Sequence, residues 1–214
     1  VALYTVNDVV LKVHDLLEES TDVNVISAAR LIKLTSDAQK WVAAESGCYQ
    51  SWGTITLLAS TVRYSPPTGA SAVLSIEYNY GNDVGVRPLI PISPDAIPHA
   101  ADSDYPYFWA YRGNYVSIYP SIPSLPDNAT LNVLIAKLPD ALTALTDSLV
   151  IPDDYQMVVP YYVAKEIAIK DNQLTKAQWL VQEIMRYTKE GIAQYSKKGI
   201  VGVSTPAGTS GNAN

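Results

Sequence analysis

The stretch from Ile151 to Lys198 constrains the fold more than any other, because it reads as two amphipathic helices folded back on each other. It opens Ile151-Pro152-Asp153-Asp154, where Asp153 is expected to cap a helix and both carboxylates stand at the positive end of its dipole. Met157, Val158, Tyr161, Ala164, Ile167 and Ala168 then keep the i, i+3, i+4, i+7 rhythm of a single buried face. Asp171-Asn172 breaks the rhythm, and Ala177, Leu180, Val181, Ile184, Tyr187, Thr188, Ile192 and Tyr195 resume it as far as Lys197-Lys198-Gly199. Cations at the negative end and a glycine are stop signals. Pro160 lies well inside the first of these helices and predicts a kink, since it removes a hydrogen bond. Gly191 weakens the second by about 1 kcal/mol relative to Ala and predicts a close helix contact or a bend. The apolar face of such a hairpin is too large to leave in water, so the rest of the chain must cover it.

Cover is available at the other end of the sequence. Thr5 to Glu19 reads as a helix with Thr5 or Asn7 as cap, Val6, Val9, Val10, Val13, Leu16 and Leu17 on one face, and His14 at the edge of that face. After a turn at Ser20-Thr21-Asp22, a second helix is expected over 24–44, with Val25, Ala28, Ala29, Ile32, Trp41 and Val42 inward and its middle loosened at Thr35-Ser36-Asp37. Between the two helix pairs lie strand-like segments at 54–64, 72–78, 85–92, 107–111, 115–119 and 130–138, punctuated by Pro, Gly, Asn and Asp. Two aromatic strands about Arg112-Gly113-Asn114 form the clearest hairpin. The expected fold is α+β: a four-helix bundle made by residues 1–50 and 150–198, an inserted antiparallel β-domain at 51–149 (sandwich or small barrel), and a flexible C-terminal arm at 199–214. Its apolar run Ile200-Val201-Gly202-Val203 is suited to adding as a strand to a sheet edge on another chain.

Composition narrows the function mainly by exclusion. A net charge of −6, with Lys197-Lys198 the only adjacent basic pair, argues against a protein that grips nucleic acid. Charged residues make up 17% while tyrosine reaches 15 copies against one Phe. Two readings of that tyrosine stay open, contact surfaces or ordinary strand residues. The single cysteine, Cys48, excludes an internal disulfide and a cysteine metal site, and fits a reducing compartment. No apolar run long enough to span a membrane occurs, and Val1-Ala2-Leu3-Tyr4 lacks the basic region of a signal peptide. The absent initiator Met is read as processing or trimming.

No catalytic constellation survives inspection. Phosphate-binding glycine loops, H-E-x-x-H and G-x-S-x-G are missing. His14 and His99 are the only histidines and are read as surface or packed residues. Cys48 with Trp52 nearby does not match a cysteine-protease signature, and Asp102-Ser103-Asp104 and Asp153-Asp154 lack calcium-loop spacing. Asn128-Ala129-Thr130 fits the glycosylation pattern but has no secretory context. No enzyme, no cofactor and no metal are expected; a structural or interaction protein is.

The order helix, helix, β-insert, helix, helix over residues 5–198 resembles the head-to-tail adaptor, or connector, proteins of tailed bacteriophages, particularly short-tailed ones. Two local patterns share the likeness: the hairpin Tyr111-Arg112-Gly113-Asn114-Tyr115-Val116-Ser117-Ile118-Tyr119-Pro120, and Ile151-Pro152-Asp153-Asp154-Tyr155 before the last helix pair. The resemblance implies a virion protein at the head-tail junction, made in the host cytoplasm. It implies a homo-oligomeric ring, usually of twelve copies, between the portal protein and a tail or nozzle protein. DNA would pass through without sequence-specific binding, along an acidic wall that repels phosphate. Carried onto this chain, the portal-binding arm would use Ile200, Val201, Val203 and Pro206. The hairpin residues Trp109, Tyr111, Arg112, Gly113, Asn114 and Tyr115 would face the tail or neighbouring copies. The alternatives are a carbohydrate- or receptor-binding module that uses β-domain aromatics such as Trp52 and Trp109, and an enzyme of unrecognised type.

Overall fold

The computed structural model describes residues 4–17, 26–80, 85–95, 105–122, 124 and 129–197. Its helices are α1 (Val6–Leu17), α2 (Ala28–Ser46), a single turn α3 (Asp153–Gln156), α4 (Val158–Lys170) and α5 (Leu174–Lys197). Between α2 and α3 run β1 (Gln50–Thr56), β2 (Arg63–Tyr64), β3 (Ala70–Asn79), β4 (Val86–Pro88), β5 (Ile90–Pro91), β6 (Phe108–Arg112), β7 (Tyr115–Tyr119) and β8 (Thr130–Lys137). The fold is mixed α+β.

Local chemistry explains most of the helix ends. Thr5 and Asp8 form a reciprocal cap on α1: the Thr5 N–H donates to Asp8 Oδ2 at 2.8 Å and the Asp8 N–H donates to Thr5 Oγ1 at 3.2 Å. The Val6 and Asn7 amides are satisfied by the carbonyls of Asp147 (2.9 Å) and Leu145 (3.0 Å), so the start of α1 is built partly by a distant segment. Asp171, with Asn172 at φ 58°, closes α4 by bonds from Asn172 N to Ile169 O (3.2 Å) and Gln173 N to Ala168 O (2.8 Å), a Schellman turn.

Four expectations for the helices need correction. The α2 helix begins at Ala28 with Ser27 as its cap, and Ala28 and Ala29 are exposed; the buried side holds Leu31, Thr35, Ala38, Gln39 and Val42. Its middle is not loosened, because Thr35 Oγ1 donates to the Leu31 carbonyl at 2.8 Å without interrupting the helix. Pro160 is not deep inside a helix. The helix is interrupted at Met157 and restarts, which places Pro160 in the first turn of α4, where a missing N–H costs little. Pro152, not Asp153, occupies the cap position of α3. Gly191 does mark a close approach: a Cβ there would lie 2.8 Å from the Tyr155 ring and 3.0 Å from the Asp154 carbonyl.

One apolar cluster joins all the helices, with Val9, Leu31, Leu149, Val159, Ala164 and Leu180 at its centre. The polar residues buried inside it hold the connector 138–152. Gln39 Nε2 donates to the Asp140 carbonyl at 3.2 Å, the Leu142 amide donates to Ser36 Oγ at 3.2 Å, and Gln156 Nε2 donates to the Ile151 carbonyl at 3.0 Å while its Oε1 accepts from the Tyr4 amide at 3.0 Å.

The strands form two sheets of four, ordered β1-β8-β3-β4 and β2-β7-β6-β5. Neither closes into a barrel among the described residues, so that part of the expectation is set aside. The expected strand 54–64 is two strands in different sheets, separated by a turn with Ser60 at φ 59°. Pairing is antiparallel except for β5 with β6. Alternate residues of both sheets turn to a second apolar cluster, which takes Ile76, Leu131 and Val133 from one sheet and Trp109, Val116 and Ile118 from the other. Gly53 is fixed by packing, since a Cβ there would lie 2.6 Å from the Pro67 ring.

Candidate interaction surfaces

The β6–β7 hairpin is formed as its sequence suggests. Gly113 and Asn114 both have positive φ (58° and 64°), the requirement of a two-residue type I′ turn between paired Arg112 and Tyr115. Arg112, Gly113, Asn114 and Tyr115 are exposed at its tip, Tyr115 at 51%. Arg112 Nη1 donates to Asp95 Oδ1 at 3.0 Å, an exposed pair of small energetic weight. Tyr111 is half-buried against the β cluster. Trp109 is only 6% exposed and belongs to that cluster, so its ring is core and is not offered to a partner. Sequence alternation carried the signal: Trp109, Tyr111, Val116 and Ile118 share one face of the hairpin, and that face is the inner one.

On the other face of this hairpin a groove runs along β2, β7 and β6, lined by Arg63, Ala110, Arg112, Tyr115, Ser117 and Tyr119. The arm residues Ile200, Val201, Val203 and Pro206, with His99, lie outside the described residues.

The helical layer carries a set of contacts that sequence reading did not single out. Trp41 of α2 packs on Tyr162 of α4 at 5.2 Å between ring centroids, and Lys165 Nζ sits 4.0 Å over the Tyr162 ring. On the α5 side Tyr161 meets Trp179 at 6.1 Å and Tyr187 at 5.1 Å, and Arg186 covers Tyr187 at 4.3 Å while pairing with Glu183 and Glu190. Burial, with Tyr187 beside it, pushes the Tyr161 hydroxyl up to about 12, so it stays a neutral donor. The signal was the tyrosine count, since rings that stack with a polar tip outward suit helix flanks as well as strands.

None of this resembles a reaction centre. Cys48 is buried, and burial pushes its thiol up to about 11, away from the thiolate a nucleophile needs. Among the described residues no three His, Cys, Asp or Glu side chains converge as metal ligands. No described helix is long and apolar enough to cross a membrane.

A comparison with curated proteins finds no match. A family model described as SU10 adaptor protein matches residues 4–196, nearly the whole chain and all of the helix-β-helix order described above. The chain therefore belongs to the SU10 adaptor protein family and is a phage head-tail adaptor, a structural protein of the virion.

Proposed function

We propose that this adaptor works as one subunit of a ring, twelve copies in the family pattern, that sits beneath the portal and continues the DNA channel toward a tail or nozzle protein. The family match over residues 4–196 carries the reading. Residues 1–50 and 150–198 act as a four-helix bundle that packs beside its neighbours, and 51–149 as a β-sandwich unit. The separation into two apolar clusters supports that division. The arm 199–214 engages the portal through Ile200, Val201, Val203 and Pro206, and the hairpin tip Arg112 to Tyr115 faces the tail or the next copy. The sugar-binding alternative loses Trp109 to the core and is left with Trp52, 55% exposed on β1, as its stacking ring.

Mass measurement of the purified chain, alone and mixed with portal protein, tests the ring. A discrete multimer or a portal-bound assembly is expected; a monomer that ignores portal at every concentration would overturn the reading. Deleting 199–214 should weaken portal binding and leave the fold intact, and full binding by the truncated chain would sink the role given to the arm.

A further inference from the structure

A closed ring joins each copy to the next through two different surfaces of the same chain. The helical layer presents two faces that suit such a contact. The first is on α5. Its buried row is Ala177, Leu180, Ile184 and Gly191. Beside it runs a second row, Leu174, Gln178, Val181, Met185, Thr188 and Ile192, with the alternating steps of four and three residues that mark a helix-packing seam. Leu174 and Met185 in this row are 62% and 59% exposed and Gln178 is exposed, while Val181, Thr188 and Ile192 are half-buried, Ile192 against the helical cluster. Thr188 Oγ1 donates to the Ile184 carbonyl at 2.8 Å, so its hydroxyl is satisfied and does not need water. Lys176 lies on the opposite flank of α5, about 160° around at 100° per residue. Its Nζ reaches the Leu17 carbonyl of α1 at 2.6 Å. The second row therefore faces away from α1.

The other face is on α1. Leu11 is 59% exposed and is bracketed on the helix surface by Asp8 three residues before and Asp15 four residues after. The Asp8 carboxylate is taken up by the α1 cap with Thr5, whereas Asp15 and Lys12, which lies on the same flank, have no salt bridge among the described residues, so Asp15 is the acid this face offers. Met185 has Lys189 four residues after it, which likewise lacks one, while nearby Arg186 is held by Glu183 and Glu190. An apolar residue with an acidic rim and an apolar row with a basic rim, on different sides of one chain, are complementary to each other and not to themselves.

We infer that the α5 row centred on Met185 of one copy docks on the Leu11 face of α1 in the next copy, with Lys189 set against Asp15. This rests on the ring reading and names its subunit contact. The occupant is a second copy of this chain, because charge complementarity requires one rim of each sign and each chain carries both.

The test uses the full chain carrying both Leu11→Cys and Met185→Cys, under mild oxidation and with portal added where assembly needs it. Both positions are exposed, and the native Cys48 is buried. The expected result is a covalent ladder of dimer, trimer and higher species. Either single variant alone should stay uncrosslinked, and the two singles mixed should give dimers only. Charge supplies a second readout: Lys189→Asp should lose assembly and Asp15→Lys in the same chain should restore it. Dimers from one single variant would mean a self-complementary contact and would overturn the inference. Assembly by mass without a ladder would overturn it and leave the ring standing; absence of both assembly and ladder would overturn the two together.

Discussion

The helical and β layers solve the problem of buried polar groups in opposite ways. In the helical layer Thr35, Ser36, Gln39, Ser46 and Gln156 are buried, and each makes a hydrogen bond with a backbone group. Several of those backbone groups belong to the connector 138–152, so the polar core stitches the returning chain to the helices. In the β layer, Ser51 Oγ, Tyr78 OH and Trp109 Nε1 are buried with no hydrogen-bond partner among the described residues. That layer is held by apolar packing and by rings: Tyr78 meets Tyr80 at 4.6 Å, Tyr105 meets Tyr107 at 4.8 Å, and Arg87 stacks over the rings of Tyr105 and Tyr107 at 4.7 and 4.9 Å. Polar groups position the first layer, whereas in the second those three are passengers and only the buried Tyr64 hydroxyl, 2.9 Å from the Thr61 carbonyl and 3.1 Å from the Leu58 carbonyl, holds a turn among the described residues.

That contrast can be broken by substitution. Gln156→Leu removes the partners of the Tyr4 amide and the Ile151 carbonyl, and a loss of about 3 kcal/mol is expected by urea unfolding. A cost under about 1 kcal/mol would mean that the stitching is not energetic. Gly191→Ala comes next. Helix propensity favours Ala by about 1 kcal/mol. The added Cβ at 2.8 Å from the Tyr155 ring costs about 2 kcal/mol by overpacking, so a net loss near 1 kcal/mol is expected and a rise in Tm would refute the close contact. In the β layer the sign should reverse: Tyr78→Phe deletes an unpartnered hydroxyl and should be neutral or stabilising by up to about 1 kcal/mol. Destabilisation by that change would erase the contrast.

The smallest effect is pH-dependent. Backbone N–H donors of Thr143 (2.7 Å) and Ala144 (2.9 Å) hold the Asp147 carboxylate below the usual aspartate range. The folded pKa lies below the unfolded one, so the stabilisation is complete above the ordinary aspartate pKa and is lost as pH falls from there through the folded value. The Tm difference between wild type and Asp147→Asn should therefore shrink in acid. A constant difference would show that the carboxylate charge is not what holds the loop.

What could be read beforehand follows the same division. Amphipathic rhythm in α1 and α5, the Asp171-Asn172 stop and the glycine turn are local and present, and Gly191 makes its close contact with Tyr155; α4, expected to bury one face, also buries Val159, Pro160 and Val163, because it packs against α1, α2 and α5. The polar face of α2 was misread because the partners of Ser36 and Gln39 lie more than a hundred residues away in the connector. Trp109 was assigned to a surface because strand alternation says which residues share a face, not which face is buried. The strand expected at 54–64 divides because Ser60 adopts a positive φ that its residue type does not announce. For the candidate surfaces the tyrosine count was a fair indication of stacking, yet the α5 row with Met185 shows itself only once the other row is known to be buried.

The chain crosses between the layers twice, out through 47–49 and back after Lys137, and the two crossings touch where the Lys137 amide donates to the Tyr49 carbonyl at 2.8 Å. Mechanically, then, the layers hang on a two-stranded ribbon. Tension between them is shared by two covalent paths, and α2 packs against β8 beside the crossing. Such a joint suits a part that must stay seated while the pieces above and below it shift under load.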